Sequence, residues 1–207
     1  MKKALTVLLL IATAAAVSRW ASAEDRPIAD GPRYTSGNEL VRPADYRDWV
    51  YVTTGLGMTY GAASATGQAP IFDNVFVNRE SHRQFMATGR WPDKTIFILE
   101  LRRAETQVSI NNGGHTQGEL VAVEAAVKDR TRFPDTTWGY FDFGRAPALT
   151  ASAAPLPTTA RCYACHRDNT AVEQTFVQFY PTLFEVAKRM GTVKSTYDPN
   201  HKVTSRH

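Results

Sequence analysis

The segment Thr95-Ile96-Phe97-Ile98-Leu99-Glu100-Leu101-Arg102 is the most regular apolar stretch of the chain. Because side chains alternate along a strand, it has two faces: Ile96, Ile98 and Glu100 on one, and Phe97, Leu99 and Leu101 on the other. Both faces are mainly apolar, which is typical of a strand that is covered on both sides. We therefore expect this segment to be a central strand of a sheet.

The segments on either side supply the rest of a sheet. β-Branched and aromatic residues predict further strands at 47–54, 74–78, 120–128 and 138–143, and residues 107–110 are candidates to continue the ribbon. Residues 55–70 and 129–137 have the composition of loops, and Asn111-Asn112-Gly113-Gly114 is a strong turn signal. Mostly short connections favour antiparallel pairing, so the sequence predicts an antiparallel sheet of about five strands.

Helical patterns lie before the central strand and after the last one. Residues 79–88 predict a short helix that ends with Gly89 as its C-cap. Near the C-terminus, apolar residues recur at three- and four-residue steps, and Pro181 should kink this helix or begin a second one; the residues are Phe176, Phe179, Tyr180, Leu183, Phe184 and Ala187. The expected fold class is therefore α+β, a single domain rich in antiparallel sheet with C-terminal helices.

The N-terminus has the composition of a secretory signal peptide. Lys2 and Lys3 give a positive start, residues 4–17 are apolar, and Ala21-Ser22-Ala23 is a cleavage site of small residues. The apolar run is short for a membrane span, and no later segment resembles one. We expect residues 1–23 to be removed and the mature protein to be soluble in the periplasm.

The remaining sequence divides by composition into an irregular arm at 24–44, one domain at 45–190 and a polar tail at 191–207. A hydrophobic content of 43% is that of a globular protein. The net charge of +4 depends on the signal peptide, which carries three basic side chains and no acidic one. The mature protein is therefore nearly neutral, which gives no basis for nucleic-acid binding.

The stretch Arg161-Cys162-Tyr163-Ala164-Cys165-His166-Arg167 carries the chemistry of the chain. Two cysteines separated by two residues and followed by histidine are the attachment signature of a c-type haem. Cys162 and Cys165 would form thioethers with the porphyrin, and His166 would be the proximal ligand of the iron. We therefore expect one covalently attached haem c per chain.

Other uses of the two cysteines remain as alternatives. They could form half of a zinc site, a disulfide or a redox-active dithiol. A zinc site usually has four protein ligands, whereas Cys162 and Cys165 are the only cysteines and the other histidines lie in scattered polar segments. A thioredoxin-like pair is expected early, after a strand of a βαβ unit, rather than behind the Ala- and Pro-rich stretch 146–160.

The order of several motifs resembles the cytochrome P-460 family from about Tyr46 to Leu183. In chain order the motifs are Tyr46-Arg47-Asp48-Trp49-Val50, Val75-Phe76-Val77, Gly-Arg-Trp-Pro-Asp at 89–93, Glu100-Leu101, Val-Glu-Ala-Ala-Val-Lys-Asp at 123–129, Arg132-Phe133, Trp138, Cys162 to His166, and Phe-Val-Gln-Phe-Tyr-Pro at 176–181. The resemblance implies a small sheet-rich domain, often dimeric, with a c-type haem, a proximal histidine and an open distal face. Some members oxidise hydroxylamine, whereas the related cytochromes c-prime-beta bind nitric oxide at an apolar distal face.

One position departs from the hydroxylamine-oxidising members of that family. They carry a lysine, cross-linked to the haem ring, immediately before the glutamate of the Glu-Leu pair, where this sequence has Leu99. Lys94 lies five residues earlier and is not expected to reach the same ring position. We expect Phe97, Leu99 and Leu101 to form a dry distal wall that favours a neutral diatomic ligand such as nitric oxide.

Glu124 keeps an enzymatic alternative open, because it matches an acidic residue near the distal pocket in the family. A carboxylate there could accept a proton from a nitrogenous substrate, or it could be a surface residue paired with an arginine such as Arg102. His115, Met58 and Met86 are candidates for a sixth iron ligand, which would make the protein an electron carrier with a periplasmic redox partner. A small nitrogenous ligand and a homodimer are the other partners that the resemblance implies.

Overall fold

The computed structural model describes residues 28–59 and 69–201 of the 207-residue chain. The expected signal peptide, much of the loop at 55–70 and the end of the polar tail lie outside the described residues. Within the two described ranges, none of the helices has the length and apolar character needed to cross a bilayer.

Strands make up the middle of the chain, and helices lie before the central strand and near the C-terminus. The elements are β1 (Leu40–Val41), β2 (Val50–Leu56), β3 (Ile71–Val77), α1 (Arg79–Thr88), β4 (Ile96–Glu105), β5 (Thr116–Lys128), β6 (Trp138–Arg145), β7 (Ser152–Ala153), α2 (Arg161–Asn169) and α3 (Pro181–Arg189). Short 3-10 helices at Tyr46–Asp48 and Val177–Phe179 precede β2 and α3. The predicted α+β class is confirmed.

Five of the strands form one antiparallel sheet in the order β2-β3-β4-β5-β6. The apolar segment at 95–102 becomes β4, the middle strand, as its two apolar faces predicted. In the register, Leu99 lies opposite Val75 on β3 and Glu124 on β5. These three side chains therefore share one face of the sheet, because paired residues point to the same side. The two short strands β1 and β7 form a separate antiparallel pair.

The predicted continuation of the ribbon at 107–110 is wrong. Gln107 and Ser109 each adopt a positive φ of 56°, which is incompatible with an extended strand. The chain turns there, and β5 begins at Thr116, which pairs with Glu105 at the end of β4. The strands of this hairpin are therefore longer than predicted: β4 continues to Glu105, and β5 already begins at Thr116.

Both predicted helix boundaries follow from local backbone rules. α1 ends where Gly89 takes a left-handed conformation with φ of 69° and donates its N–H to the carbonyl of Phe85 at 2.7 Å. Pro181 occupies the first turn of α3, where a missing N–H costs nothing, so it begins a second helix rather than kinking a long one.

Each face of the sheet has its own apolar core. One core contains Ile96, Ile98 and Phe141 from the sheet, packed with Leu40 and Tyr46 from the N-terminal segment. The other core joins the opposite face to the C-terminal segments α2 and α3; its members include Val77, Phe97, Trp138, Tyr163, Leu183 and Val186. Burying a side chain of this size stabilises the fold by roughly 1.5–3 kcal/mol. The second core fixes α2 against the sheet and so positions the residues of the candidate site.

Glu100 is a charged residue of β4 that is fully buried, with a side chain that is 0% exposed. It accepts hydrogen bonds from Tyr46 Oη at 2.6 Å, Arg47 Nη2 at 2.7 Å and Arg102 Nε at 2.8 Å. Burial acts to raise the pKa of Glu100, but these hydrogen bonds outweigh it and hold the pKa at about 2. Arg102 is thus the partner of Glu100 rather than of Glu124.

Candidate functional site

Helix α2 presents the Cys-Tyr-Ala-Cys-His motif on one of its faces. Cys162, Cys165 and His166 lie at positions i, i+3 and i+4 of the helix, which are neighbours on a helix surface. The carbonyls at the end of this helix accept hydrogen bonds from side chains, with Asn169 Nδ2 donating to Cys165 O at 3.0 Å and Thr170 Oγ1 to His166 O at 2.5 Å. The three motif side chains are therefore presented together by a well-terminated helix.

A cavity of about 720 Å³ lies between α2 and the face of the sheet that carries Leu99. Cys162, Cys165 and His166 all line it on the helix side. Val75, Leu99 and Glu124 line it on the sheet side. Its volume is within the range of small-molecule and cofactor sites. The Cys-Tyr-Ala-Cys-His motif and Leu99 therefore lie on opposite walls of the same cavity.

His166 is held in a defined tautomer. Its Nδ1 lies 2.8 Å from the carbonyl oxygen of Gln174, and since a carbonyl only accepts, Nδ1 carries the proton and Nε2 keeps its lone pair. The ring packs against Tyr140 and Phe176, with centroid distances of 4.6 and 4.7 Å. Burial lowers the pKa of His166, although the hydrogen bond to Gln174 acts in the opposite direction. The imidazole is therefore neutral and suited to ligate a metal through Nε2.

Cys162 and Cys165 are free thiols in the structure. Burial is the largest influence on both and raises the pKa of each thiol. Within residues 28–59 and 69–201, no group of three or more His, Cys, Asp or Glu side chains is arranged to hold a metal ion. The two thiols are thus protonated side chains at the edge of an apolar cavity.

The three apolar residues expected to form the distal wall lie at different depths. Leu99 is partly exposed and lines the cavity. Phe97 also lines it but is 5% exposed, with its ring between Trp91 and Tyr180 at centroid distances of 4.7 and 6.2 Å. Leu101 follows on the same face of β4, beyond the residues that line the cavity. Leu99 is therefore the more accessible of the two residues of β4 that line the cavity.

Among the residues that the structure describes, two carboxyl groups line the same cavity, those of Glu124 and Asp73, and only Glu124 was a sequence candidate. Burial raises the pKa of Glu124, and Asp142 and Asp73 raise it further. Burial also raises the pKa of Asp73, on β3, to about 6. Asp73 lies two residues before Val75 on the same strand, so the period-two rule would have placed it on the cavity face once Val75 was known to point there.

We expect Asp73→Asn to stabilise the protein at neutral pH. The native pKa of about 6 lies above the ordinary value of 3.8, so stability falls as the pH rises from about 3.8 to about 6 and stays low above that. Solvent screening at this partly accessible site reduces the gain to about 1–2 kcal/mol. Urea unfolding at about pH 7.5 and about pH 4 should show the gain at the higher pH only. An equal gain at both values would contradict the assigned burial of Asp73.

The remaining candidates lie in different places. Met58 lines the cavity, Met86 packs against the second core, and His115 is exposed in the hairpin between β4 and β5. Lys94 pairs with Asp129 at the start of β4 rather than facing the cavity. Of the proposed sixth ligands, Met58 alone is thus next to the space between α2 and the sheet.

The family model described as Cytochrome P460 matches residues 43–177. The chain belongs to the cytochrome P460 family. The match includes β2 to β6 and α2, so it contains both walls of the cavity. A search of curated proteins found no match. As a member of this family the protein is a haem cytochrome, and the cavity is where the residues suited to haem meet.

The residues around the cavity fit a haem in a cytochrome P460. The space is large, mainly apolar and bordered by one histidine whose Nε2 is free to ligate. The two thiols lie on the same helix face as that histidine. Haem iron is commonly held by a histidine whose other ring nitrogen donates to a carbonyl, and His166 meets this requirement.

Proposed function

We propose that this cytochrome carries one haem c, attached through Cys162 and Cys165 and ligated by His166, and that its opposite side binds small nitrogen oxides, chiefly nitric oxide. The observation that carries the proposal is the hydrogen bond from His166 Nδ1 to Gln174 O. It leaves Nε2 as the ligating atom and fixes the ring on the helix side of the cavity. The haem, when bound, supplies an iron that takes a diatomic ligand.

Part of the sheet side of the cavity supports a neutral ligand. Val75 and Leu99 offer no hydrogen-bond donor or charge, so this part of the wall favours an uncharged molecule, although Glu124 and Asp73 bring carboxyl groups to the same side. Leucine cannot form the ring cross-link that lysine forms in the hydroxylamine-oxidising members. These properties support the likeness to cytochromes c-prime-beta.

Leu99→Lys should give the haem-loaded protein a red-shifted Soret band. A lysine amine at this position faces the cavity from the middle strand, where it can form the cross-link to the haem ring found in the hydroxylamine-oxidising members. Leu101→Lys is the matched control: it lies on the same face of the same strand but beyond the cavity lining. Absorption spectra of both variants after haem loading would test the register. A red shift in the Leu101 variant alone would show that the assigned wall is wrong.

A second candidate function is hydroxylamine oxidation, which the carboxyl groups of Glu124 and Asp73 favour. A carboxylate facing the cavity can accept a proton from a nitrogenous substrate. Burial raises the pKa of Glu124, which makes the ionised form a stronger base than an exposed glutamate. In this candidate Glu124 is the proton acceptor and an external redox partner accepts the electrons.

Glu124→Gln separates the two candidates. If the protein oxidises hydroxylamine, losing the base should lower the rate by about 100-fold or more. Under the leading proposal, the wild type has little such activity, and the variant keeps its nitric oxide affinity within about twofold. The hydroxylamine oxidation rate is measured in the steady state with an external electron acceptor. The nitric oxide affinity is measured by titration of the ferrous protein. Fast oxidation in the wild type that the variant loses would replace the leading proposal with the second.

Export belongs to the same proposal. In bacteria haem c is attached after export, and the N-terminal sequence has the features of a signal peptide ending near Ala23. We infer that the mature cytochrome is a soluble periplasmic protein that meets a periplasmic redox partner and forms a homodimer. Mass spectrometry of the protein purified from the periplasm would test the cleavage.

A further inference from the structure

Lys128, at the end of β5, is a buried cation that the proposed function does not use. The residue is 7% exposed. Its Nζ donates to Glu173 Oε2 at 2.6 Å and to Trp91 O at 2.7 Å. Its backbone is fixed to the segment before β4, with its N–H donating to Thr95 O at 2.9 Å. Burying a lysine is costly unless its partners are well placed, so the ammonium must be held where it is by this set of contacts.

Glu173 belongs to the turn that follows α2. It adopts a positive φ of 50°, an unfavourable conformation for a residue other than glycine. Its side chain anchors the turn twice, because Oε2 accepts from Lys128 and Oε1 accepts from the Trp91 N–H at 3.2 Å. The ion pair therefore holds a backbone conformation that glutamate would otherwise avoid.

A second anchor holds the other side of the same turn. Trp91 Nε1 donates to Thr175 Oγ1 at 2.9 Å, and that hydroxyl donates to Val172 O at 2.8 Å. Gln174 lies between the two anchored residues, and its carbonyl oxygen accepts the hydrogen bond from His166 Nδ1 at 2.8 Å. The end of β5 and the segment before β4 are thus connected to the turn on both sides of Gln174, whose carbonyl accepts the histidine proton.

We propose that Lys128, acting with Glu173 and Trp91, is a positioning residue of the axial histidine. It holds the turn at 172–175 so that the Gln174 carbonyl faces His166 Nδ1, and in this way it sets the orientation and electron donation of the imidazole. A strong hydrogen bond from Nδ1 makes the ring a stronger donor through Nε2. The inference rests on the proposed role of His166, and it assigns to a lysine outside the cavity an effect on the iron.

Lys128→Met and Thr175→Val test the proposal in the haem-loaded protein. Each removes one anchor of the turn and leaves Cys162, Cys165 and His166 on α2 unchanged; Lys128 lies outside the cavity lining, whereas Thr175 is part of it. We expect both variants to show an iron–histidine stretching band at lower frequency in resonance Raman spectra, and a higher reduction potential, because the Gln174 carbonyl is held less firmly against Nδ1. The side chain of Gln174 keeps its own hydrogen bonds to Thr136 O and Tyr140 Oη in both variants, so the expected shifts are partial. Lys94→Met is the matched control, since the Lys94 ammonium lies near the same end of β5 and pairs with Asp129 and Asp93 instead of Glu173.

Two outcomes would overturn the proposal and one would bear on the proposed function instead. If Lys128→Met and Thr175→Val lower stability but keep the wild-type band and potential, the network is structural only. If the Lys94 variant shifts equally, the effect is not specific to the turn. If Lys128→Met yields no haem-loaded protein, the milder Thr175→Val variant decides between these results. If the iron–histidine band of the wild type is also present in His166→Ala, His166 is not the ligand, and the proposed function fails instead.

Discussion

A variant with both Cys162 and Cys165 replaced by alanine will release its haem on denaturation, whereas the wild type will retain it. The expected effect is nearly complete, because a thioether survives unfolding and axial ligation by His166 does not. Both thiols line the cavity on the same face of α2 as His166. Acid–acetone extraction followed by measurement of haem in the protein fraction checks this prediction.

Ala164→Ser is the control for the double cysteine variant. Ala164 lies between the two cysteines on α2 and is exposed, so this substitution changes the helix without touching the cavity. We expect it to retain haem as the wild type does. Extractable haem in the wild type, at the level of the double variant, would show that the cysteines do not bind it covalently.

Glu100→Gln should destabilise the protein by about 3 kcal/mol at neutral pH, the value that corresponds to the lowered pKa of this carboxyl. The native pKa of about 2 lies below the ordinary value of 4.5, so the stabilisation is fully present above about 4.5 and is lost as the pH falls toward about 2. The glutamine keeps the volume but leaves Arg47 and Arg102 without their carboxylate. Urea unfolding over this pH range measures the difference from wild type.

Glu119→Gln is the matched control for Glu100. Glu119 is exposed on β5, where removing one charge is expected to change stability by less than about 0.5 kcal/mol. A difference between Glu100→Gln and wild type that does not shrink toward low pH would contradict the assigned ionised state of Glu100.

Local sequence rules accounted for the sheet and helix boundaries where short-range chemistry decides them. The two apolar faces of the segment at 95–102 indicated the middle strand, and Gly89 and Pro181 marked an end and a start of helices. The spacing of Cys162, Cys165 and His166 is a property of the sequence alone, and it needs only a helix to bring them onto one face.

Features that depend on distant contacts could not be predicted in this way. The burial of Asp73 in the cavity requires the register between β3 and β4 and the position of α2. The link from Lys128 to Glu173 joins residues far apart in sequence, and the positive φ of Glu173 has no local signal such as glycine. In the hairpin, Gln107 and Ser109 adopt positive φ values, so residues 107–110 form a turn although Val108 and Ile110 alternate with polar residues as in a strand.

The proposed open iron site is tested most directly by the absorption spectrum of the purified ferrous protein before and after addition of nitric oxide. We expect a five-coordinate, high-spin haem c with His166 as its protein ligand, converted by nitric oxide into a stable nitrosyl species. A low-spin spectrum in both oxidation states, unchanged by nitric oxide, would contradict the open site opposite His166. It would indicate that a side chain such as Met58, which lines the cavity, occupies the sixth position.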